Sequence, residues 1–127
     1  PEEWIVQASS AAVQLTRAFQ QAIERNYRQR RQVQAYAEML GVTSNYLVKT
    51  VREMTSMTPK QLLQERLLLE AKRLLVHTPY SVNEISELLE FPNSTSFARW
   101  FKKEATQTPT EFRQQATNNL RLNRQSS

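Results

Sequence analysis

The chain has 127 residues, of which 39% are hydrophobic, so we expect one ordinary domain rather than two independent cores. Lys and Arg outnumber Asp and Glu by 17 to 12, which predicts an anionic partner such as nucleic acid or an acidic membrane surface. There is no Cys and only one His, so we predict no disulfide, no metal centre and no cofactor. No run of roughly 18 apolar residues is present, so we predict no membrane-spanning helix. The absence of Cys fits a reducing compartment, and we expect a cytoplasmic location. The chain begins with Pro1 instead of Met, and we expect it to be a piece of a longer protein.

The composition favours an all-α fold. Glycine occurs once, whereas strands joined by tight hairpins need several residues that accept positive φ. Apolar residues recur at helical spacing, and each set predicts one buried helix face. In chain order the sets are Ala12, Val13, Thr16, Phe19 and Ile23; Val33, Tyr36, Ala37 and Leu40; Leu47, Val51 and Met54; Val82, Ile85, Leu88 and Leu89; and Phe97 with Phe101.

The chain contains an internal repeat. Residues 33–42 match 82–91 in pattern, and after one inserted residue 47–52 match 97–102. Both repeats end in Thr-Pro-x-Gln or Thr-Pro-x-Glu, beginning at Thr58 and Thr108. Such a string supplies an N-cap hydroxyl, a proline at the first helical position and a side chain that completes a capping box. Ser81-Val-Asn-Glu84 starts a further helix in the same way. Each repeat therefore predicts a short helix, a tight turn, a second helix and a capped third helix, which is the helix-turn-helix plan.

The repeat gives the domain organisation. We predict two tandem helix-turn-helix units joined by a long connecting helix whose broad apolar stripe contacts both. The connecting helix, predicted over 59–76, has 18 residues and so spans about 27 Å. That length suits two recognition helices in successive major grooves roughly 34 Å apart. The predicted ranges are 1–9 for an N-terminal linker remnant, 10–117 for the domain, 33–54 for the first unit, 59–76 for the connecting helix, 82–104 for the second unit and 118–127 for a flexible tail.

The turns of the two units differ in sequence. Gly41 stands where the first turn leaves its helix, at a position that favours left-handed geometry. Glu90 takes that place in the second unit, which costs roughly 1 kcal/mol if the backbone there is left-handed.

The second repeat carries a family resemblance. The stretch Ser81-Val-Asn-Glu-Ile-Ser-Glu-Leu-Leu-Glu-Phe-Pro-Asn-Ser-Thr-Ser-Phe-Ala-Arg-Trp-Phe-Lys-Lys-Glu-Ala-Thr-Gln-Thr-Pro-Thr-Glu-Phe-Arg113 resembles the signature of the AraC/XylS-type transcription regulators. The resemblance covers about residues 10–117 and implies seven helices, with the third and sixth in the major groove of double-stranded DNA. It also implies a preceding sensor or dimerisation domain and contact with RNA polymerase. The chain departs from the family at Ser56, Glu90 and Thr106, where many members carry glycine.

The resemblance also places the base-facing side chains. Arg99 or Lys49 can donate to guanine O6 and N7. Asn45 can pair with adenine, and Val48 or Ala98 can contact a thymine methyl group. The base-reading positions are Asn45, Val48 and Lys49 in the first unit, and Ser94, Thr95, Ala98 and Arg99 in the second.

A second set of residues is better placed for phosphates, which set register without reading sequence. These residues lie one turn further along each recognition helix or at its start: Ser44, Arg52, Asn93, Lys102 and Lys103.

Several of these residues have a purely structural alternative. Lys102 and Lys103 can form an ordinary solvated face. Arg99 can pair with Glu104, and Ser94 and Asn93 can cap a helix. Trp100 is expected at the edge of the core rather than on DNA. The basic run 25–31 is open to three interpretations: a solvated helix end, a phosphate contact or an interdomain face.

The sequence does not suggest an enzyme, because it has no glycine-rich phosphate loop, no His pair and no acidic cluster at ligand spacing. We predict sequence-specific binding of double-stranded DNA by a bacterial transcription regulator. The alternative is a helical protein-interaction module or an anti-regulator that has lost specific DNA reading. The modest base-reading potential of Val48, Ser94 and Ala98 keeps that alternative open.

Overall fold

A computed structural model describes the backbone of residues 2–125 and the side chains of residues 10–124. That part of the chain contains seven helices and no strand, which confirms the all-α prediction. None of these helices has the length and apolar character needed to cross a bilayer. The helices are α1 (Glu2–Asn26), α2 (Val33–Leu40), α3 (Ser44–Thr55), α4 (Pro59–His77), α5 (Val82–Leu88), α6 (Ser94–Ala105) and α7 (Pro109–Gln125).

The chain divides into two units, Pro1–Arg66 and Leu67–Ser127, and the boundary falls inside α4. In the first unit α1 packs against both α2 and α3, which also contact each other. In the second unit α6 packs against both α5 and α7. Each unit therefore contains one helix-turn-helix pair, α2 with α3 and α5 with α6.

The core of the first unit is centred on two aromatic rings. Phe19 of α1 and Tyr36 of α2 are fully buried and meet edge to face, with ring centroids 5.6 Å apart. Burial raises the pKa of Tyr36 to about 12, although the nearby guanidinium groups of Arg30 and Arg31 act in the opposite direction. Leu47 and Val51 complete this core from α3, and both are fully buried.

The core of the second unit is a chain of aromatic contacts. Phe97 of α6 lies 5.2 Å from Phe91 and 6.0 Å from Phe101, centroid to centroid. Phe101 meets Phe112 of α7 at 5.6 Å. Trp100 is half-buried and packs 5.2 Å from Phe91, so it lies at the edge of this core, as the sequence predicts.

All three predicted capping boxes are present. The hydroxyls of Thr58, Ser81 and Thr108 each accept a hydrogen bond from the backbone N–H three residues later, at 3.0–3.1 Å. In return the backbone N–H of each cap residue donates to a side-chain oxygen three residues later, at 2.8–3.0 Å, in Gln61, Glu84 and Glu111 respectively. Hydrogen bonds from Ser81 and Thr108 lower the pKa of Glu84 and Glu111 respectively. These local bonds fix where α4, α5 and α7 begin.

Four turns leave their helices through left-handed backbone. Gly41 has φ 68°, as its position after α2 predicts. The three positions without glycine keep the same geometry, with φ values of 65° at Ser56, 58° at Glu90 and 64° at Thr106. The strain expected at Glu90 is therefore present, and it recurs after both α3 and α6.

Two apolar residues predicted on buried faces are exposed. Met54 is 41% exposed because it lies in the last turn of α3, just before the chain turns at Ser56. Leu88 is 40% exposed because it lies to one side of the buried residues Ile85 and Leu89 on the short helix α5.

The chain ends differ from the linker and tail expected from the sequence. Helix α1 begins at Glu2, so most of the expected linker remnant 1–9 is helical. Helix α7 continues through 118–125, where a flexible tail is expected. Residues 1, 126 and 127 lie outside the described part of the chain.

Candidate nucleic-acid interface

Helix α3 presents four of its predicted contact residues on one face. Asn45, Lys49 and Arg52 are exposed and Val48 is half-buried. Positions spaced three and four residues apart lie on the same side of a helix. Together with Glu53 these side chains line an open depression on the surface. The opposite face of α3 holds Leu47, Thr50 and Val51, which are buried and fix the orientation of the helix.

Helix α6 repeats this arrangement in the second unit. Thr95, Arg99 and Lys102 are exposed and Ala98 is half-buried, each 50 residues after its counterpart in α3. The buried residues Phe97 and Phe101 hold the helix from the other side. Both helices have 12 residues, so the two units present helices of the same length and register.

The starts of the two helices are fixed by equivalent caps. Thr43 caps α3, because its Oγ1 accepts a bond from Tyr46 N at 3.1 Å. Asn93 caps α6, because its Oδ1 accepts a bond from Ser96 N at 2.8 Å. The capping interpretation of Asn93 is therefore confirmed, and its amide nitrogen leaves a donor for another contact. Ser44 and Ser94 are instead the first residues of their helices, and both are half-buried.

The cationic side chains of both faces are available to an anion. Lys49, Arg52, Arg99 and Lys103 are exposed, and none makes an ion pair or side-chain hydrogen bond with any described residue. In particular Arg99 does not pair with Glu104, the structural alternative considered for it. Lys102 lies near enough to Glu111 to help lower the pKa of that carboxyl.

The two faces differ in charge at one equivalent position. Glu53 of α3 corresponds to Lys103 of α6, and both are exposed. Sequence reasoning missed Glu53 because it considered only groups able to contact DNA. It also missed Thr43, although the 50-residue offset places Thr43 on Asn93. Tyr46, in the first turn of α3 and 51% exposed, is a third missed neighbour of the site.

Comparison with known proteins identifies the family. A family model described as a helix-turn-helix domain matches residues 36–115, which include most of α2 and all of α3 to α6. The chain belongs to the AraC-type helix-turn-helix family of DNA-binding transcription regulators. Within this AraC-type domain α3 and α6 are the second helices of the two pairs, the position of a recognition helix.

Individual relatives agree with this assignment. The transcriptional activator RhaS of Salmonella arizonae is 31% identical over 81 residues, which are 64% of this chain and 29% of that protein. The chain thus spans less than a third of the length of this curated relative. An AraC-type regulator from Chromobacterium violaceum shares the fold with a TM-score of 0.72 and 20% identity, covering 84% of this chain and 96% of that one. The DNA-binding domain of AdpA, solved with a target DNA, has a TM-score of 0.71 and 22% identity and covers 83% and 94% respectively.

Proposed function

We propose that this AraC-type domain binds double-stranded DNA sequence-specifically, with α3 and α6 in successive major grooves. The observation that carries the proposal is the duplicated face: exposed polar residues recur at the same helical positions 50 residues apart, each opposite a buried apolar face. A repeated surface of this kind suits a ligand that itself repeats, and DNA presents a major groove on one side every helical turn. The AdpA domain, which has this fold, binds a target DNA.

The base-reading roles follow from exposure and side-chain chemistry. Arg99 is exposed and unpaired within the described chain, so its fork of donors can reach guanine O6 and N7. Lys49 offers the same acceptors a single ammonium group, and Asn45 suits adenine. Val48 and Ala98 present apolar surface suited to a thymine methyl group. Ser94 and Thr95 are smaller polar contacts at the start of α6.

The phosphate-binding roles fall to residues at the rims of the two faces. Arg52, Lys102 and Lys103 are exposed cations beyond the base-reading positions. Ser44 and Asn93 lie at the helix starts, where backbone N–H groups and the helix dipole also favour anions. These five contacts would set the register of the domain on DNA without preferring any sequence.

We infer that the full-length protein contains more than this DNA-binding domain. RhaS is a transcriptional activator, and the region that matches this chain is 29% of it. We propose that an N-terminal sensor or dimerisation domain accompanies the DNA-binding domain and that RNA polymerase is a partner. The protein would act in the bacterial cytoplasm by binding, without catalysis.

Binding to duplex DNA at several salt concentrations tests the proposal. The three charged phosphate contacts, Arg52, Lys102 and Lys103, contribute about −0.9 each to the slope of log affinity against log salt concentration. We therefore expect a slope of about −2.7 or steeper. A slope near zero would contradict the proposal and favour the protein-interaction module, which has no phosphates to neutralise.

A further inference from the structure

The segment between α1 and α2, residues 27–32, is the most basic part of the first unit that the proposed interface leaves unused. This basic loop carries Arg28, Arg30 and Arg31, and no Asp or Glu occurs between residues 25 and 37. The acid just before it, Glu24, is already paired with Arg66 at 2.9 Å. The loop therefore has no unpaired carboxylate near it in sequence.

The loop is held in one conformation by its own contacts. Two backbone N–H groups, those of Gln29 and Arg30, donate to the carbonyl of Asn26 at 3.0 and 2.8 Å. The hydroxyl of the buried Tyr36 donates to the carbonyl of Arg30 at 2.7 Å. The Nε of Arg28 donates to the hydroxyl of Tyr27 at 3.3 Å. These bonds hold the backbone of the loop in place, so a ligand need not order that backbone on binding.

The three arginines of the loop have different roles. Arg28 and Arg31 are half-buried and engaged within the protein, since Arg31 also donates to the carbonyl of Arg28 at 3.3 Å. Arg30 is exposed, and its guanidinium makes no ion pair or hydrogen bond with the rest of the described chain. Arg30 is therefore the side chain that the loop offers to a partner.

The position of the loop in the fold favours the DNA backbone as its partner. In a helix-turn-helix unit the first helix crosses the DNA backbone while the second lies in the groove. The basic loop leads directly into that first helix, α2, which has no acidic residue in its first turn. The second unit lacks this feature: Thr78-Pro-Tyr-Ser81 precedes α5 without a charge, and Glu84 lies in the first turn.

We propose that the basic loop is an additional DNA-phosphate contact, made through Arg30, on the strand flanking the half-site read by α3. The inference rests on the proposed function, because it requires α3 to lie in the groove. It makes the two units unequal: the first is anchored by α3 and by the loop before α2, whereas the second relies on α6.

The test compares Arg30→Gln with the wild-type chain on several duplexes of different sequence between 50 and 200 mM salt. Loss of one phosphate contact predicts a slope shallower by about 0.9, so the affinity advantage of the wild type should shrink about 3.5-fold across that range. Arg17→Gln, which removes an exposed arginine of α1, is the matched control and should keep the wild-type slope. Arg30→Lys retains the charge and should show the wild-type slope.

Each result decides the inference. A shallower slope for Arg30→Gln, with the same ranking of DNA sequences as the wild type, supports a phosphate contact. A wild-type slope in Arg30→Gln, or an equal change in Arg17→Gln, overturns the loop contact while the proposed function stands. A flat salt dependence of the wild type overturns the proposed function and this inference with it.

Discussion

The hydroxyl of Tyr36 and the backbone carbonyl of Arg30 are joined by a 2.7 Å hydrogen bond, which ties the aromatic core of the first unit to the basic loop. Tyr36→Phe removes the donor while keeping the ring against Phe19, so we expect a loss of about 1 kcal/mol in the free energy of unfolding. Urea denaturation of the two proteins at neutral pH measures this loss. An unchanged midpoint would show that the bond does not stabilise the fold.

The same tyrosine predicts a dependence on alkaline pH. Its pKa is raised from 10.0 to about 12 in the folded chain, so the unfolded chain loses this proton first as pH rises. The stabilisation is complete below pH 10 and is lost between pH 10 and 12, by roughly 2–3 kcal/mol. Urea titrations at several pH values should therefore show a steeper decline for the wild type than for Tyr36→Phe. Equal declines would contradict the assignment.

The backbone is left-handed at Ser56 and Thr106, after α3 and α6, so we expect glycine at these positions to stabilise the fold. Thr106 is β-branched and has φ 64°, so Thr106→Gly should raise the free energy of unfolding by about 0.5–1 kcal/mol after the entropy cost of glycine. Gly41→Ala is the matched control in the other direction. An added Cβ there meets nothing within 4 Å, so its expected cost of about 1 kcal/mol comes from φ alone. Destabilisation by Thr106→Gly would argue against this account of the turn.

Ala37 of α2 and Ser86 of α5 occupy equivalent positions in the two helix-turn-helix pairs, 49 residues apart. Both are buried, but the hydroxyl of Ser86 has no hydrogen-bond partner among the described residues. Ser86→Ala should therefore raise the free energy of unfolding by about 1 kcal/mol. The reverse exchange, Ala37→Ser, should lower it by about 1–3 kcal/mol. Thermal melts of both variants check this, and a loss of stability in Ser86→Ala would mean that the hydroxyl is satisfied.

The charge difference between Glu53 and Lys103 predicts a gain of affinity. Glu53→Lys gives α3 the charge that α6 already carries, so binding should strengthen for every duplex and the salt slope should steepen by about 0.9. Glu65→Lys, an equal charge change at an exposed position of α4, is the control. If Glu65→Lys strengthens binding as much as Glu53→Lys, the effect reflects net charge and not the position on α3.

The sequence predicts the local features of this fold best. The capping boxes at Thr58, Ser81 and Thr108 follow from residues three apart, and all are present. Exposure is less predictable, because periodicity identifies the face of a helix but not what covers each turn of it. Met54 and Leu88 were misplaced for this reason.

The candidate site shows the same division. The registers of α3 and α6 follow from the repeat, because buried residues such as Leu47 and Phe97 fix which side faces outward. Residue type alone does not identify the cap of α3, because Thr43 and Ser44 are adjacent and either can cap. Only the 50-residue offset from Asn93 distinguishes the two. The left-handed backbone at Ser56 could not be deduced from its side chain, which disfavours it, and depends on how the chain turns between α3 and α4.

The central claim is that α3 and α6 both read DNA, and selection from a library of random duplexes tests it most directly. We predict enriched duplexes with two half-sites whose centres lie about 10 base pairs apart. Selection with Arg99→Ala should relax one position of one half-site, whereas Lys102→Ala should retain the motif and weaken all duplexes alike. No enriched motif, or the wild-type motif unchanged in Arg99→Ala, would contradict the account.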